Sequence, residues 1–150
     1  MTLSYRYTPI RTSESATFGA TDNVDVKTAG LVPVSGDGCA ANPITETLTG
    51  KIAVIKRGAC SFTEKVKAAQ VKGAVAVVVD NNVPGDLFPL GGTDATVTIP
   101  ARFVTDTDGA TLRGLNAATA SIGPVGQVSA CTTIVYNILV YTINSQCVQW

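Results

Sequence analysis

The chain contains no histidine. That absence removes Ser–His and Cys–His nucleophile pairs, HExxH-type zinc sites and imidazole acid–base chemistry together. Charge is scarce, at 15% of residues, and it balances at eleven basic against eleven acidic. A balanced chain has no overall pull toward nucleic acid or an anionic membrane. Neither GxGxxG nor GxxxxGK[ST] occurs, so neither nucleotide-binding fingerprint applies. The four cysteines, at 39, 60, 131 and 147, have no CxxC or other metal-like spacing. An even number of spread cysteines fits an oxidising compartment better than a zinc site. The longest apolar stretch, residues 134–143, is interrupted by Asn137 and Thr142 and is too short to span a bilayer. Met1 is followed by Thr2-Leu3-Ser4-Tyr5, without the basic and apolar regions of a signal peptide. The expectation is a piece of a secreted protein, or a chain missing its start.

What is present suffices for one domain: 150 residues, 45% of them hydrophobic. The organising stretch is 50–82, GKIAVIKRGACSFTEKVKAAQVKGAVAVVVDNN. Residues 52–55 are a short apolar run suited to a buried strand, broken by Arg57-Gly58. Ser61-Phe62-Thr63-Glu64 fits the S-x-x-E capping box that opens a helix. Phe62, Val66 and Ala69 fall on one helical face, and Gly73 is the expected left-handed stop. Residues 74–79, rich in valine, read as a second buried strand ended by Asp80-Asn81-Asn82. Strand, helix and strand make a βαβ crossover.

Around this unit the signals are weaker. Phe18-Gly19, Val24, Val26 and residues 31–34 suggest short strands, residues 35–39 a loop, and Pro84-Gly85 a turn. Residues 97–99 and 102–105 read as short extended pieces. Asp106 or Thr107 could cap a helix over 109–116 with Leu112 and Leu115 facing inward, followed by a strand over 118–122. Six basic residues against Glu64 alone lie between 51 and 72, and five Asp against Arg102 between 80 and 108. Two solvated faces of opposite sign are expected. Residues 125–150 include a long uncharged run rich in β-branched residues and tyrosine. They are either a strand pair packed on the core or a tail outside the fold, and the second is the expectation.

Candidate chemistry gathers at residues 57–62. A helix start offers free N–H groups and a positive dipole end, and Arg57 adds a guanidinium fork. That geometry suits a peptide's terminus or an acidic side chain; a capped helix beside an exposed Arg57 accounts for the same residues. Asp80, Asn81 and Asn82, with Asp86, offer oxygens for Ca²⁺, but turn chemistry explains them and no metal is assigned. Asp106 and Asp108 are taken as helix-capping residues rather than an acid–base pair. Cys60 lacks a histidine, and Cys39 lies just before the same strand, so a Cys39–Cys60 disulfide is expected. Cys131–Cys147 is the leftover pair among the connectivities open to four cysteines.

The run Gly50-Lys51-Ile52-Ala53-Val54-Ile55-x-Arg57-Gly58-x-Cys60-Ser61-Phe62-x-Glu64-Lys65, with Ala69-Gln70, Gly73-Ala74 and Asn81-Asn82, closely resembles the protease-associated (PA) domain. Phe18-Gly19, Gly38-Cys39, Ile99-Pro100 and Asp108-Gly109-x-x-Leu112 match its weaker markers in order. The resemblance covers residues 10–124, leaving 1–9 as an N-terminal arm and 125–150 as an unmatched tail. It implies an α/β domain of the swivelling β/β/α type, a compact β-sheet core or barrel with two to three short helices. It also implies a non-catalytic module, without cofactor, of the extracellular space or secretory pathway. Such modules recognise substrate or cover the active site of a secreted peptidase. The implied partner is a polypeptide substrate or a neighbouring catalytic domain, with no nucleic acid and no membrane span. Contact is expected at Arg57, Gly58, Phe62, Asn81 and Asn82. A spacer or adhesin module of a cell-surface protein is the alternative, as is a cargo-binding domain of the sorting-receptor kind. In that last branch residues equivalent to Ala59 and Ser61 are acidic and aromatic. The family's common disulfide falls on Cys39 and Cys60, in agreement with the pairing above.

Overall fold

A computed structural model describes residues 4–10, 13–20, 27–115, 118–122 and 128–134. In chain order these form β1 (Ser4–Ile10), β2 (Glu14–Ser15), β3 (Lys27–Pro33), β4 (Ile52–Lys56), α1 (Phe62–Val71), β5 (Ala76–Asp80), β6 (Ala101–Val104), α2 (Asp106–Gly114), β7 (Thr119–Ile122) and β8 (Val128–Ile134). One mixed sheet runs β1-β8-β7-β3-β4-β5-β6-β2. Its centre, β3 to β6, is parallel, and both flanks pair antiparallel.

Alternation along the central strands explains why both faces are covered. Successive side chains point to opposite faces of a sheet. Ala53 and Ile55 of β4, Val77 and Val79 of β5, and Ala101 and Phe103 of β6 pack with Val66 and Ala69 of α1. Ile52, Val54, Ala76, Val78 and Val104 pack instead with Leu112 of α2. The runs IAVI and AVVV are therefore continuous rather than alternating, as a two-faced parallel sheet requires. Each fully buried Ile or Val contributes roughly 1.5–3 kcal/mol.

Helix α1 starts as its sequence signals. The Ser61 side chain accepts from the Glu64 N–H, and the Glu64 carboxylate accepts from the Ser61 N–H. Gly73 follows at φ +90°, and a Cβ there would meet the Thr49 backbone at 2.9 Å. Helix α2 differs from expectation at its start. Thr105 is the cap, its Oγ1 accepting from the Asp108 N–H, so the first turn begins at Asp106. Residues 97–99 are not a strand. The Thr98 and Ile99 N–H groups donate to Gln70 Oε1 on α1, at 2.7 and 3.2 Å.

The expectation that the chain from 125 lies outside the fold is corrected for Val128–Ile134. That strand pairs with β7 on one side and β1 on the other. Residues 4–9 of the expected arm likewise belong to the edge strand of the sheet, Ser4–Ile10. An uncharged, β-branched segment satisfies its backbone N–H and C=O groups most completely between two strands. Cys131 lies on β8, while Cys147, Val24 and Val26 lie outside the described residues.

The solvated basic face is corrected at Lys65, which is fully buried. Its Nζ donates to the Asp37 carbonyl at 2.7 Å and lies 3.4 Å from Cys39 Sγ. Burial pushes the Lys65 amine below the ordinary lysine range, with Asp37 and Glu64 opposing.

Candidate functional site

The carboxyl ends of β3, β4 and β5 lie side by side, the edge where open α/β sheets bind ligands. Cys39 and Cys60 are joined, with Cα atoms 5.6 Å apart, and tie the turn after β3 to the turn after β4. Between Arg57 and Ser61 the backbone is tight. Cys60 N–H donates to Gly58 C=O at 2.8 Å around Ala59, at φ +59° the one non-glycine residue at positive φ among the described residues. Such a conformation costs on the order of 1–3 kcal/mol and persists where its surroundings over-determine it. Here the disulfide and the capping box clamp its downstream end.

Arg57 is fixed from three directions. Its N–H donates to the Asp80 carbonyl at 2.9 Å, and its Nη1 donates to Asn81 Oδ1 at 2.9 Å. The guanidinium lies 5.1 Å from the Phe88 ring centroid, a cation–π contact. Asn81 Oδ1 also accepts from the Asn82 N–H at 3.0 Å. Phe88 rests on buried Phe103 and on Phe62, with centroids 5.0 and 6.2 Å away, yet is 38% exposed. It is a propped aromatic surface beside a positioned cation.

Of the expected contact residues, Arg57, Asn81 and Asn82 are thus brought together, and Phe62 joins through Phe88. Gly58 faces Asn82, whose Nδ2 would be 3.6 Å from an added Cβ. Asn81 is buried, so its side chain holds Arg57 rather than facing solvent. At the start of α1 the structure has the capped helix that the sequence also offered. Glu64 Oε2 already accepts from the Ser61 N–H at 3.0 Å and its hydroxyl at 2.7 Å. The Ser61 hydroxyl, then the Ser61 N–H, hold the Glu64 carboxyl below its ordinary range. The helix supplies its own anion.

Asp80, considered above for Ca²⁺, is fully buried and committed to cations. Arg113 of α2 donates from Nη2 at 2.8 Å and Nε at 3.1 Å, and Lys56 Nζ lies at 3.1 Å. Arg113 Nη1 also reaches the Val34 carbonyl at 3.1 Å. Helix α2 comes this close only because residue 109 is glycine: a Cβ there would sit 2.1 Å from the Asp80 Cβ. No group of three or more His, Cys, Asp or Glu suited to a metal occurs among the described residues.

An open cleft of about 430 Å³ lies behind Arg57, between the turn at 34–37 and Asn42 on one side and Lys56 and Arg113 on the other. Sequence reasoning missed this cleft and the roles of Phe88, Lys56 and Arg113. The available signals were an aromatic in a Pro-Gly turn loop and an Asp closing an otherwise apolar strand.

Residues 27–112 match the family described as PA domain. Leucine aminopeptidase 2 of Trichophyton equinum is 42% identical over 91 residues, covering 60% of this chain and 18% of that protein. An aminopeptidase from Aneurinibacillus sp. strain AM-1 superposes with a TM-score of 0.58 at 34% identity, over 88% of this chain and 35% of that one. A zinc aminopeptidase from Bacillus subtilis gives a TM-score of 0.63 at 23% identity, over 87% of this chain and 30% of that one. The chain thus spans under a fifth of the first relative's length and about a third of each of the two structures.

Proposed function

This chain belongs to the PA domain family, and on that premise we propose that it is a non-catalytic polypeptide-binding module beside the catalytic domain of a secreted peptidase. The observation that carries this reading is Arg57, held against Asn81 and the Phe88 ring on a loop clamped by a disulfide and a helix cap. A rigid cation next to a propped, part-exposed aromatic is the kind of surface on which polypeptide hot spots form. The work of such a module is to hold substrate near a neighbouring active site, or to cover that site. The surface comprises Arg57, Gly58, Phe62, Asn82 and Phe88, with Asn81 orienting Arg57. The disulfide and the aminopeptidase relatives support an oxidising, extracellular setting.

The test is fluorescence-anisotropy binding of a labelled casein digest to the whole chain, with Arg57→Ala and Phe88→Ala as variants. Truncating an interface anchor costs about 1–2 kcal/mol, so each variant should bind roughly fivefold to thirtyfold more weakly with its fold intact by circular dichroism. Equal binding by all three proteins removes this surface from the reading. No binding by the wild type favours the spacer role.

A further inference from the structure

We propose that the cleft behind Arg57 is a carboxylate subsite, taking an acidic side chain or the C-terminal carboxylate of a polypeptide whose adjacent apolar residue lies on Phe88. The inference rests on the polypeptide-binding reading above and assigns the chemistry of its second half. At the start of α1 the Ser61 N–H and hydroxyl already serve Glu64. On the other side of Arg57 the charges differ. Lys56, Arg57 and Arg113 line the cleft, and against them stand Asp37 on its wall and Asp80 behind it. Asp80 is sealed, its oxygens held by Arg113 and Lys56, so it presents no free acceptor to an entering group. Asp37 spends Oδ1 on the Cys39 N–H at 3.0 Å. Glu46 also stands at the rim, its carboxylate accepting from the Ser35 N–H at 2.7 Å, so three cations face three anions and an entering carboxylate is drawn by the donors these anions leave unused.

Free donors are present on the same wall. Among the described residues Arg57 uses only Nη1 of its guanidinium, and Lys56 only one of its three N–H groups. The Lys56 side chain is 49% exposed. It can turn toward an entering carboxylate while Arg113 keeps both Asp80 oxygens. Arg57 forms the partition: one face on Phe88, its unused edge available to the cleft. A residue pair of apolar side chain and carboxylate would therefore straddle Arg57. The 430 Å³ volume falls within the size range of small-ligand sites.

The experiment uses the whole chain, uniformly labelled with ¹⁵N, and three hexapeptides sharing one leucine. The first carries Asp beside the leucine and an amidated C-terminus. The second carries Asn and a free C-terminal carboxylate beside the leucine, and the third carries Asn and an amidated end. Binding of the first or second at least about fivefold tighter than the third is expected, with amide shifts at Gly36, Asn42, Lys56 and Arg57. Whichever of the two binds identifies a side-chain or a terminal carboxylate as the ligand. Lys56→Gln should erase that advantage without altering affinity for the third peptide, and Lys56→Arg should restore it. Equal affinities for all three, with shifts confined to the neighbourhood of Phe88, overturn the subsite but leave polypeptide binding standing. No binding of any peptide overturns both.

Discussion

The loop after β4 and the loop after β5 leave the sheet side by side and meet at Arg57, but they are held by opposite means. The first is constrained along its length: a disulfide, a tight turn at Ala59 and a capping box follow one another within residues 58–64. The second is pinned only at its root and its end. Asp80 and Asn81 are buried, residues 82–86 are exposed, and Leu90 is buried again, exchanging backbone bonds with Ser15 and Thr17. Between them Phe88 is propped from below on Phe103. A binding surface made this way has one pre-paid wall, whose ordering costs nothing on association, and one wall with an adjustable middle.

The comparison breaks most severely at the root of the second loop. Arg113→Met leaves the buried Asp80 with Lys56 alone, and removing one partner of a buried ion pair costs about 3–5 kcal/mol. Urea unfolding followed by circular dichroism measures this. A loss under about 1 kcal/mol would show that Lys56 satisfies Asp80 unaided. Next comes the clamp on the first loop. The Cys39→Ser/Cys60→Ser double variant opens a covalent loop with a sequence separation of 21 and should lose about 3 kcal/mol. Hydrogen exchange should quicken at residues 58–61 while the amides of 82–86 stay as they were. Equal quickening in both loops would mean that they are ordered together.

The smallest effect lies where the chain continues from the second loop. Asp94 accepts from Thr96 and Lys67 and ties this segment to α1. The Thr96 hydroxyl, then its N–H, then Lys67 lower the Asp94 carboxyl from 3.8 to about 2. A carboxyl depressed by folding adds stability that is complete above its unfolded value and lost as pH falls through its folded one. The contribution should therefore be present above about pH 4 and fade toward pH 2. Asp94→Asn should flatten that acid limb of the stability curve and leave unfolding between pH 6 and 8 nearly parallel to wild type. An unchanged acid limb would show that the Thr96 and Lys67 contacts do not persist in solution.

Much of the central unit was legible in the sequence because its signals are local. The capping box needs only Ser61 and Glu64, three residues apart, and the buried strands announce themselves as unbroken apolar runs. The Cys39–Cys60 link was within reach because both cysteines flank one strand. Other features were hidden for a physical reason. Lys65 looks like one more surface lysine, and only the turn at 37–39 supplies the carbonyl that permits its burial. The strand expected at 97–99 has the right composition, but its backbone donors found Gln70 instead of a neighbouring strand. Residues 128–134 look like part of an aggregation-prone tail until β7 and β1 are seen on either side of them.

By itself, then, the sequence determined the order of strand, helix and strand and the two ends of α1. Each follows from donors, acceptors or apolar side chains within a short reach along the chain. Only the tertiary structure decided where Arg57 points and which charges stand around it. Asp80 is neutralised by Arg113, 33 residues further on, and Arg57 is oriented by Asn81 and Phe88 across a sheet edge. Those contacts depend on the order in which the strands lie, and the local pattern of residues does not encode that order.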